Sequence, residues 1–533
     1  MMINRRSFLR YSGALAASLL TGCLGVQQKE SKASKRPNIL FIMTDDHASH
    51  ALSCYGSVTT RTPHLDRVAN EGMRFKNCFC TNSICAPSRA VILTGKHSHI
   101  NGQKTNSERF DGGQQTFPKL LQEVGYETAM IGKWHLQSDP TGFDHWEILP
   151  GQGAYYNPDF IQMDGSQKHY EGYSTDIITD LTIDWLDKQR DTNKPFMVKC
   201  HHKAPHRNWM PHPRHFGKHK HGTIPEPETL FADHSSRSKA SPESAMSIRD
   251  HFFWGWDMKF HGPNLFPDHF MSGLENLEYQ RMTAEQKAEW DAHYEPENQA
   301  FIQQMQQGTL SEEDIVRWKY QRYMHDYLGT ISAVDEGVGR ILDYLDEQGL
   351  SDNTVVVYTS DQGFFLGEHG WYDKRFMYEE SLRMPLLVRR PGQIKAASVA
   401  DQIVLNLDFA PTFVDMADRV IPSDIQGQSM LSILKGQRPP DWRTAMYYHY
   451  YEYPGPHQVK RHYGIRTHRY KLIHFYDINA WELYDLAEDP HELKNLYGDR
   501  RYSELVKQLT EHLQALQKQY DDSEGLALSK AIE

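Results

Sequence analysis

The chain has few cysteines, six in 533 residues, and no paired C-x-x-C set. A cysteine-rich zinc site is therefore excluded, and no spacing among Cys54, Cys78, Cys80 and Cys200 demands a disulfide. It also lacks an excess of positive charge. Against 69 Asp and Glu stand 58 Lys and Arg, a formal net charge of −11. That excludes a general nucleic-acid binder and requires an enzyme for anionic substrates to gather its cations locally. Internal repeats and long low-complexity tracts are missing. An apolar run at residues 14–20 is much shorter than the roughly 20 residues that span a bilayer.

What is present begins with an address. Arg5-Arg6-Ser7-Phe8-Leu9-Arg10 supplies a twin-arginine region, residues 14–20 an apolar core, and Leu20-Thr21-Gly22-Cys23 resembles a bacterial lipobox. The expectation is a signal over residues 1–23 read by the twin-arginine export machinery, with lipidation at Cys23. A polar tether follows over 24–36. The protein would then be an exported lipoprotein of a bacterium, periplasmic or at the cell surface, held to the membrane by its lipid alone.

Residues 38–44 (NILFIMT) and 354–360 (TVVVYTS) are continuous apolar runs rich in β-preferring residues, which reads as buried, parallel strands. Each ends in acid: Asp45-Asp46 after the first, Asp361-Gln362 after the second. Ligand sites in open α/β sheets lie at these carboxyl ends. Adjacent carboxylates raise one another's pKa unless a cation holds them. Three carboxylates and an amide oxygen suit a hard cation, Ca²⁺ before Mg²⁺.

Between these strands lies Cys85-Ala86-Pro87-Ser88-Arg89, opening an apolar run that reads as a helix start. A thiol at a helix N-terminus beside a positive charge is expected to have a lowered pKa. Lys133-Trp134-His135 follows a short strand, and in an extended segment Lys133 and His135 share one face. The strand at 195–200 ends in the cation-rich run from His201 to Arg207, which includes His206. Tyr155, Tyr156, Trp254, Trp256 and Trp290 are candidates for sugar stacking or for packing. Residues 211–312 read as an insertion with one or two helices, around 283–291 and 298–307. Residues 313–348 read as a long helix whose apolar stripe faces the core, with Tyr320 at its margin. Asp373-Lys374-Arg375 lies beyond Asp361. Past a boundary near 422, strands at 445–453, 463–474 and 482–486 and a helix at 501–521 form a small antiparallel subdomain. His457, His462 and Arg466 there read as solvent-facing loop residues or substrate contacts.

The pentapeptide, followed after a short apolar run by Thr94-Gly95, resembles the signature of the formylglycine sulfatases, and the resemblance extends over nearly the whole chain after residue 36. It implies an α/β fold of the alkaline-phosphatase-like kind: a large mixed, mainly parallel sheet flanked by helices over 37–421, and a C-terminal sheet-and-helix subdomain over 422–533. It implies that Cys85 is converted to 3-oxoalanine (formylglycine) by a formylglycine-generating or anaerobic sulfatase-maturating enzyme, and that the hydrated aldehyde attacks sulfur. Ca²⁺ would be held by Asp45, Asp46, Asp361, Gln362 and the residue at 85. Lys133 and Lys374 would bind sulfate, His135 a hydroxyl of the hydrate, and Arg89 would order it. His206 would protonate the leaving oxygen. The implied substrate is a sulfated carbohydrate. Asp373-Lys374-Arg375 with Tyr378-Glu379 resembles N-acetylglucosamine-6-sulfatases. Sulfatases for uronate 2-O-sulfates or marine polysaccharides, phosphodiesterases or phosphonate-ester hydrolases of the same fold, and a non-catalytic glycan-binding protein are the alternatives.

Overall fold

The computed structural model describes residues 36–218, 222–261 and 277–530. The export signal and most of the tether lie outside the described residues. Residues 37–533 form one compact unit.

The strand Asn38–Thr44 is fully buried. It pairs in parallel with Thr354–Ser360 on one side and Phe196–His201 on the other. Glu127–Lys133 and then His145–Leu149 continue the parallel run outward. Leu386–Arg389 and Met73–Phe79 extend the opposite side in antiparallel register, and Ser398–Leu405 pairs in parallel with Met73–Phe79. The period-two alternation of a strand explains the two cores. Ile39, Phe41 and Met43 pack with Val355 and Val357 against the helices Cys85–Thr94 and Phe409–Met416. Leu40 and Ile42 face the other way and pack with Val356, Val338, Ile341 and Leu345.

The last three of those belong to the helix Glu312–Glu347, 36 residues long. Ser311 caps it, accepting the amide of Asp314 while the Asp314 carboxylate takes the Ser311 amide. Its first turn carries Glu312, Glu313 and Asp314, which complement the helix dipole. Tyr320, expected at the margin, is buried, because the insertion folds over it and its hydroxyl donates to the Pro225 carbonyl at 2.7 Å. Of the one or two helices expected around 283–307, the fold has one, Ala284–Gln307, with Pro296 inside it. Trp254 and Trp290 are fully buried packing residues.

The C-terminal sheet has four antiparallel strands: Ala445–Tyr450, His462–Thr467, Tyr470–Phe475 and Ala480–Asp485. The stretch 463–474, read as one strand, is a hairpin that turns between Thr467 and Tyr470, where the Thr467 hydroxyl donates to the Tyr470 carbonyl and accepts from the Tyr470 amide. The helix Ser503–Gln519 buries Leu509, Leu513 and Leu516 in the same core as Leu472 and Ile473. Tyr448 donates to the Arg375 carbonyl at 2.6 Å, which ties this sheet to the loop carrying Lys374. Cys54, Cys78, Cys80, Cys85 and Cys200 are all free thiols.

Candidate active site

The site lies beyond the carboxyl ends of the central parallel strands, where their carbonyl ends would be unpaired without loops to receive them. Asp361 donates its amide to Thr44, His202 to Met43, and Asp45 to Ala204. These bonds bring three strand ends to one point. Asp46 adopts a left-handed conformation, φ 66°, so that Asp45 and Asp46 both turn inward. Gly132, just before Lys133, has φ 98°, and a Cβ there would lie 2.0 Å from the His201 carbonyl oxygen. Only glycine lets the two strands meet at that height.

Cys85 is the first residue of the fully buried helix Cys85–Thr94. Asn106 accepts the Ala86 amide at 3.0 Å, satisfying one of the helix's free N–H groups. One turn in, the Ser88 hydroxyl donates to the Asp361 carbonyl and accepts from Asn406. Arg89 then reaches three acceptors: Asp361 Oδ2 at 3.0 Å from Nε, the Lys133 carbonyl at 2.7 Å from Nη1, and Asp45 Oδ2 at 2.9 Å from Nη2. Asp45 is the hub, since Lys133 Nζ also lies 2.5 Å from its Oδ2 and the Cys85 thiol 3.3 Å from its Oδ1. Lys374 Nζ lies 2.6 Å from Asp46 Oδ1 and 3.5 Å from Cys85 Sγ. His206 Nε2 faces Asp46 Oδ2 at 3.8 Å and Asp45 Oδ1 at 4.0 Å.

Burial pushes the Asp45 carboxyl up, but Lys133, His206 and Arg89 hold it well below the carboxylate range. Asp46 goes the other way, pushed to about 8 by burial against the opposing Lys374, with Asp45 and Asp361 adding repulsion. Asp361 is pushed to about 7 by burial and Asp45. The Cys85 thiol is pushed well above its ordinary value by burial and Asp45, with Lys374 opposing. The lowered value expected from a helix N-terminus is thus reversed, because burial, together with a carboxylate in contact, outweighs the dipole. Such a thiol is a poor thiolate nucleophile. His206 is held well below the imidazole range by burial and Lys133. Its Nδ1 donates to the Arg207 carbonyl at 2.6 Å, leaving an Nε2 lone pair toward the carboxylates.

The ligand atoms of Asp45, Asp46 and Asp361 lie within 4.8 Å of one another. Asp46 Oδ2 and Gln362 Oε1 are buried without a hydrogen-bond partner. Orphaned oxygens among clustered carboxylates fit a hard divalent cation, which would satisfy both. The metal-free protein is expected to lose stability as pH rises from about 5 to 8. Asp46 and Asp361 ionise near 4 when unfolded but only near 8 and 7 when folded, so over that window the folded state binds more protons and rising pH favours unfolding. Calcium should restore the loss, and the gain in melting temperature between EGTA and CaCl₂ should be larger at pH 8 than at pH 5. Identical melting curves in the two buffers at both pH values would rule the site out.

His135 lies in the same electrostatic environment, held well below the imidazole range by burial and Lys133. It is not on an extended segment, however. The strand ends at Lys133 and His135 has φ 56°, so the expected two-residue alternation fails. Its Nδ1 is buried without a partner.

Above Cys85, Lys374 and His206 opens a cavity of about 400 Å³. Its walls include Gln152, Trp256, Asp373, Arg375 and His457. Gln152 Oε1 accepts from Lys133 at 2.5 Å. His457 Nε2 lies 3.2 Å from Asp373 Oδ2, and Arg375 donates to Asp373 Oδ1 at 3.0 Å and Glu452 Oε2 at 3.0 Å. Arg207 is locked on Asp257 at 2.7 Å and stacks over Trp256 at 4.7 Å. Of the three C-terminal candidates only His457 reaches the cavity. His462 is buried against Tyr448 and Phe475, and Arg466 is buried on Glu379 at 3.1 Å, so neither faces solvent. Tyr155 and Tyr156 pack, their hydroxyls donating to the His206 and Pro211 carbonyls. Sequence reasoning passed over Gln152 and Asp373. The signal for Asp373 was its place beside Lys374; the left-handed φ of 75° at Asp373 and 86° at Arg375 is visible only in the fold.

Residues 37–419 match the family described as "Sulfatase", and residues 367–519 match "N-sulphoglucosamine sulphohydrolase, C-terminal". The chain is 53% identical over 519 residues to an N-acetylglucosamine-6-O-sulfatase of Bacteroides thetaiotaomicron, covering 96% of this chain and 91% of that protein. Among solved structures, one in complex with its substrate D-glucosamine-2-N,6-O-disulfate superposes with a TM-score of 0.87 at 53% identity, covering 92% of this chain and 99% of that one. A phosphonate monoester hydrolase of Silicibacter pomeroyi shares the fold at 18% identity, with a TM-score of 0.66 over 91% of this chain and 96% of that one.

Proposed function

The chain belongs to the sulfatase family and is a sulfuric ester hydrolase; from that premise we propose that it cleaves the 6-O-sulfate of a glucosamine residue, N-acetylated or N-sulfated, in a glycosaminoglycan. The observation that carries the choice of sugar is 53% identity, over nearly the full length, to an enzyme of that name. The cavity is of the right kind. It has a cationic floor at Lys374 and a wall of Asp373, Arg375 and His457, whose paired charges can exchange hydrogen bonds with ring hydroxyls.

Sulfate-ester cleavage needs a strong nucleophile, charge neutralisation around SO₃ and a proton for the leaving oxygen. A formylglycine hydrate at position 85, made by a sulfatase-maturating enzyme, would supply the nucleophilic hydroxyl. Ca²⁺ on Asp45, Asp46, Asp361 and Gln362, with the residue at 85, would supply Lewis acidity. The chain's own residues supply the rest. Lys133 and Lys374 present two buried ammonium groups beside position 85, pre-paired with carboxylates, so they need no reorganisation when sulfate enters. Arg89 makes no contact with the cavity and acts by fixing Asp45, Asp361 and the end of the Lys133 strand. His206 has the geometry of a proton donor at Nε2, but only once protonated, and a sulfate arriving beside it favours that form. His135 would hold the second hydroxyl at position 85.

The proposal includes export by the twin-arginine route and lipidation at Cys23. No described helix is long and apolar enough to cross a membrane.

The test is sulfate release from defined sugars. With protein shown by peptide mass to carry the aldehyde, 6-sulfated N-acetylglucosamine is expected to be turned over at least ~100-fold faster, in kcat/KM, than a uronate 2-O-sulfate or a phosphonate monoester. Equal or faster turnover of either competitor would overturn the assignment.

A further inference from the structure

A second cavity of about 420 Å³ is lined by close chain neighbours of residues that line the catalytic one. Two loops contribute to both. Asn106 lines the catalytic cavity and Arg109 the second; Gln152 lines the catalytic cavity, and Pro150 and Gly151 the second. His135 forms part of its floor, two residues beyond Lys133. Its lining combines apolar Trp134, Ile148 and Ile161 with polar Arg109, Gln137, Ser138 and Asp139.

Three features of this cavity are unexplained by packing. Arg109 is exposed and, among the described residues, makes neither an ion pair nor a hydrogen bond. The Ser138 hydroxyl is buried without a partner. Gln137, like His135, is held at φ 56°, a conformation uncommon for a residue with a side chain, so the loop's path here is set by the fold and not by local preference. Apolar surface combined with hydrogen-bonding groups in one cavity is the chemistry of a sugar site, since a pyranose has an apolar face and a polar rim. The catalytic cavity has room for one sulfated hexose, so any chain attached to that hexose must leave across the surrounding loops.

We infer that this second cavity is a subsite for the next sugar of the chain, a hexuronic acid, with Arg109 pairing with its carboxylate and Asp139 and Ser138 bonding its hydroxyls. The inference rests on the glycosaminoglycan reading above and names the neighbour that reading leaves open. Arg109 has no acid of its own to satisfy it, and a guanidinium pairs with a carboxylate through two parallel hydrogen bonds.

The experiment compares two substrates, 6-sulfated N-acetylglucosamine alone and the same sugar joined through its C1 to a hexuronic acid. Wild-type kcat/KM is expected to be higher for the disaccharide. Arg109→Ala should remove about tenfold of that value, mainly through KM, and leave the monosaccharide rate unchanged, while Arg109→Lys recovers part. A disaccharide whose uronate carboxyl is reduced to the alcohol should behave in wild type as the uronate does in Arg109→Ala. Equal kcat/KM for the two substrates in wild type, or a loss in Arg109→Ala that is the same for both, overturns the subsite. Should wild type release sulfate from neither sugar, the 6-O-sulfatase reading fails by itself. Calorimetric binding of the disaccharide to Cys85→Ala protein, with and without Arg109→Ala, then decides the subsite: weaker binding without Arg109 supports it, and unchanged binding overturns it.

Discussion

Cys85→Ala protein is expected to release sulfate at least ~10⁴-fold more slowly than wild type, with its melting temperature changed by no more than a few degrees. The reasoning is geometric. The fold places the Cys85 side chain between Lys374, 3.5 Å away, and Asp45, 3.3 Å away, in the lining of the cavity. The nearby Ser88 hydroxyl is committed to the Asp361 carbonyl and to Asn406. The thiol's pKa is pushed up, so an unmodified cysteine would not rescue the reaction as a thiolate. The change in stability is small because alanine removes one buried atom and, with it, a polar group pressed on a carboxylate. The comparison is of initial rates on one sulfated sugar, with thermal melts on the same preparations. Activity within tenfold of wild type would remove position 85 from the chemistry.

Asp45→Asn should damage both activity and stability. Asp45 receives Arg89 and Lys133 in a wholly buried place, 2.9 and 2.5 Å away. Asparagine keeps the shape and removes the charge, which leaves two buried cations with one fewer anion. Breaking such a pair costs about 3–5 kcal/mol, and the metal site loses a ligand as well. Activity is expected to fall at least ~10³-fold, through kcat more than KM, because the ammonium of Lys133 and the helix bearing position 85 both shift when Arg89 loses its anchor. Addition of CaCl₂ should raise the melting temperature less than it does in wild type. A variant that melts within two degrees of wild type and keeps a tenth of its activity would show that Asp45 is not the hub.

The sequence carried the fold where local preference and burial agree. Residues 38–44 and 354–360 had to be central strands, because an unbroken apolar stretch such as Ile39 to Met43 or Val355 to Tyr358, too short for a helix and rich in β-preferring residues, is used by a strand buried on both faces. Once they were placed, the acids after them had to sit at the sheet's carboxyl end. The helix at 313–348 was equally plain, since an apolar stripe of that length has one use in a large domain. Where local signals are weak or conflict with long-range packing, the reading stayed open or failed. The insertion reads as one or two helices around 283–291 and 298–307, and one helix, Ala284–Gln307, forms with Trp290, Tyr294 and Phe301 buried along it. The hairpin within 463–474 was missed because its turn, at Thr467 to Tyr470, has no glycine or proline to mark it.

The candidate reacting groups were legible in the sequence by itself. Cys85, Arg89, Lys133, His135, His206 and Lys374, with the acids at 45, 46 and 361, are scattered over more than 300 positions, and most follow a recognisable strand or open a helix. What only the tertiary structure decided is how those groups act on one another. Charge states depend on burial and on neighbours remote in sequence, so Cys85 rises where a helix N-terminus alone would lower it, and Asp45 and Asp46, adjacent in the chain, are driven in opposite directions by Lys133 and by crowding. The cavity walls are likewise a product of the fold. His457 reaches Asp373 across 84 residues because a C-terminal sheet docks on the loop of Lys374, and no local pattern encodes a contact whose partners meet only when two distant surfaces bury each other.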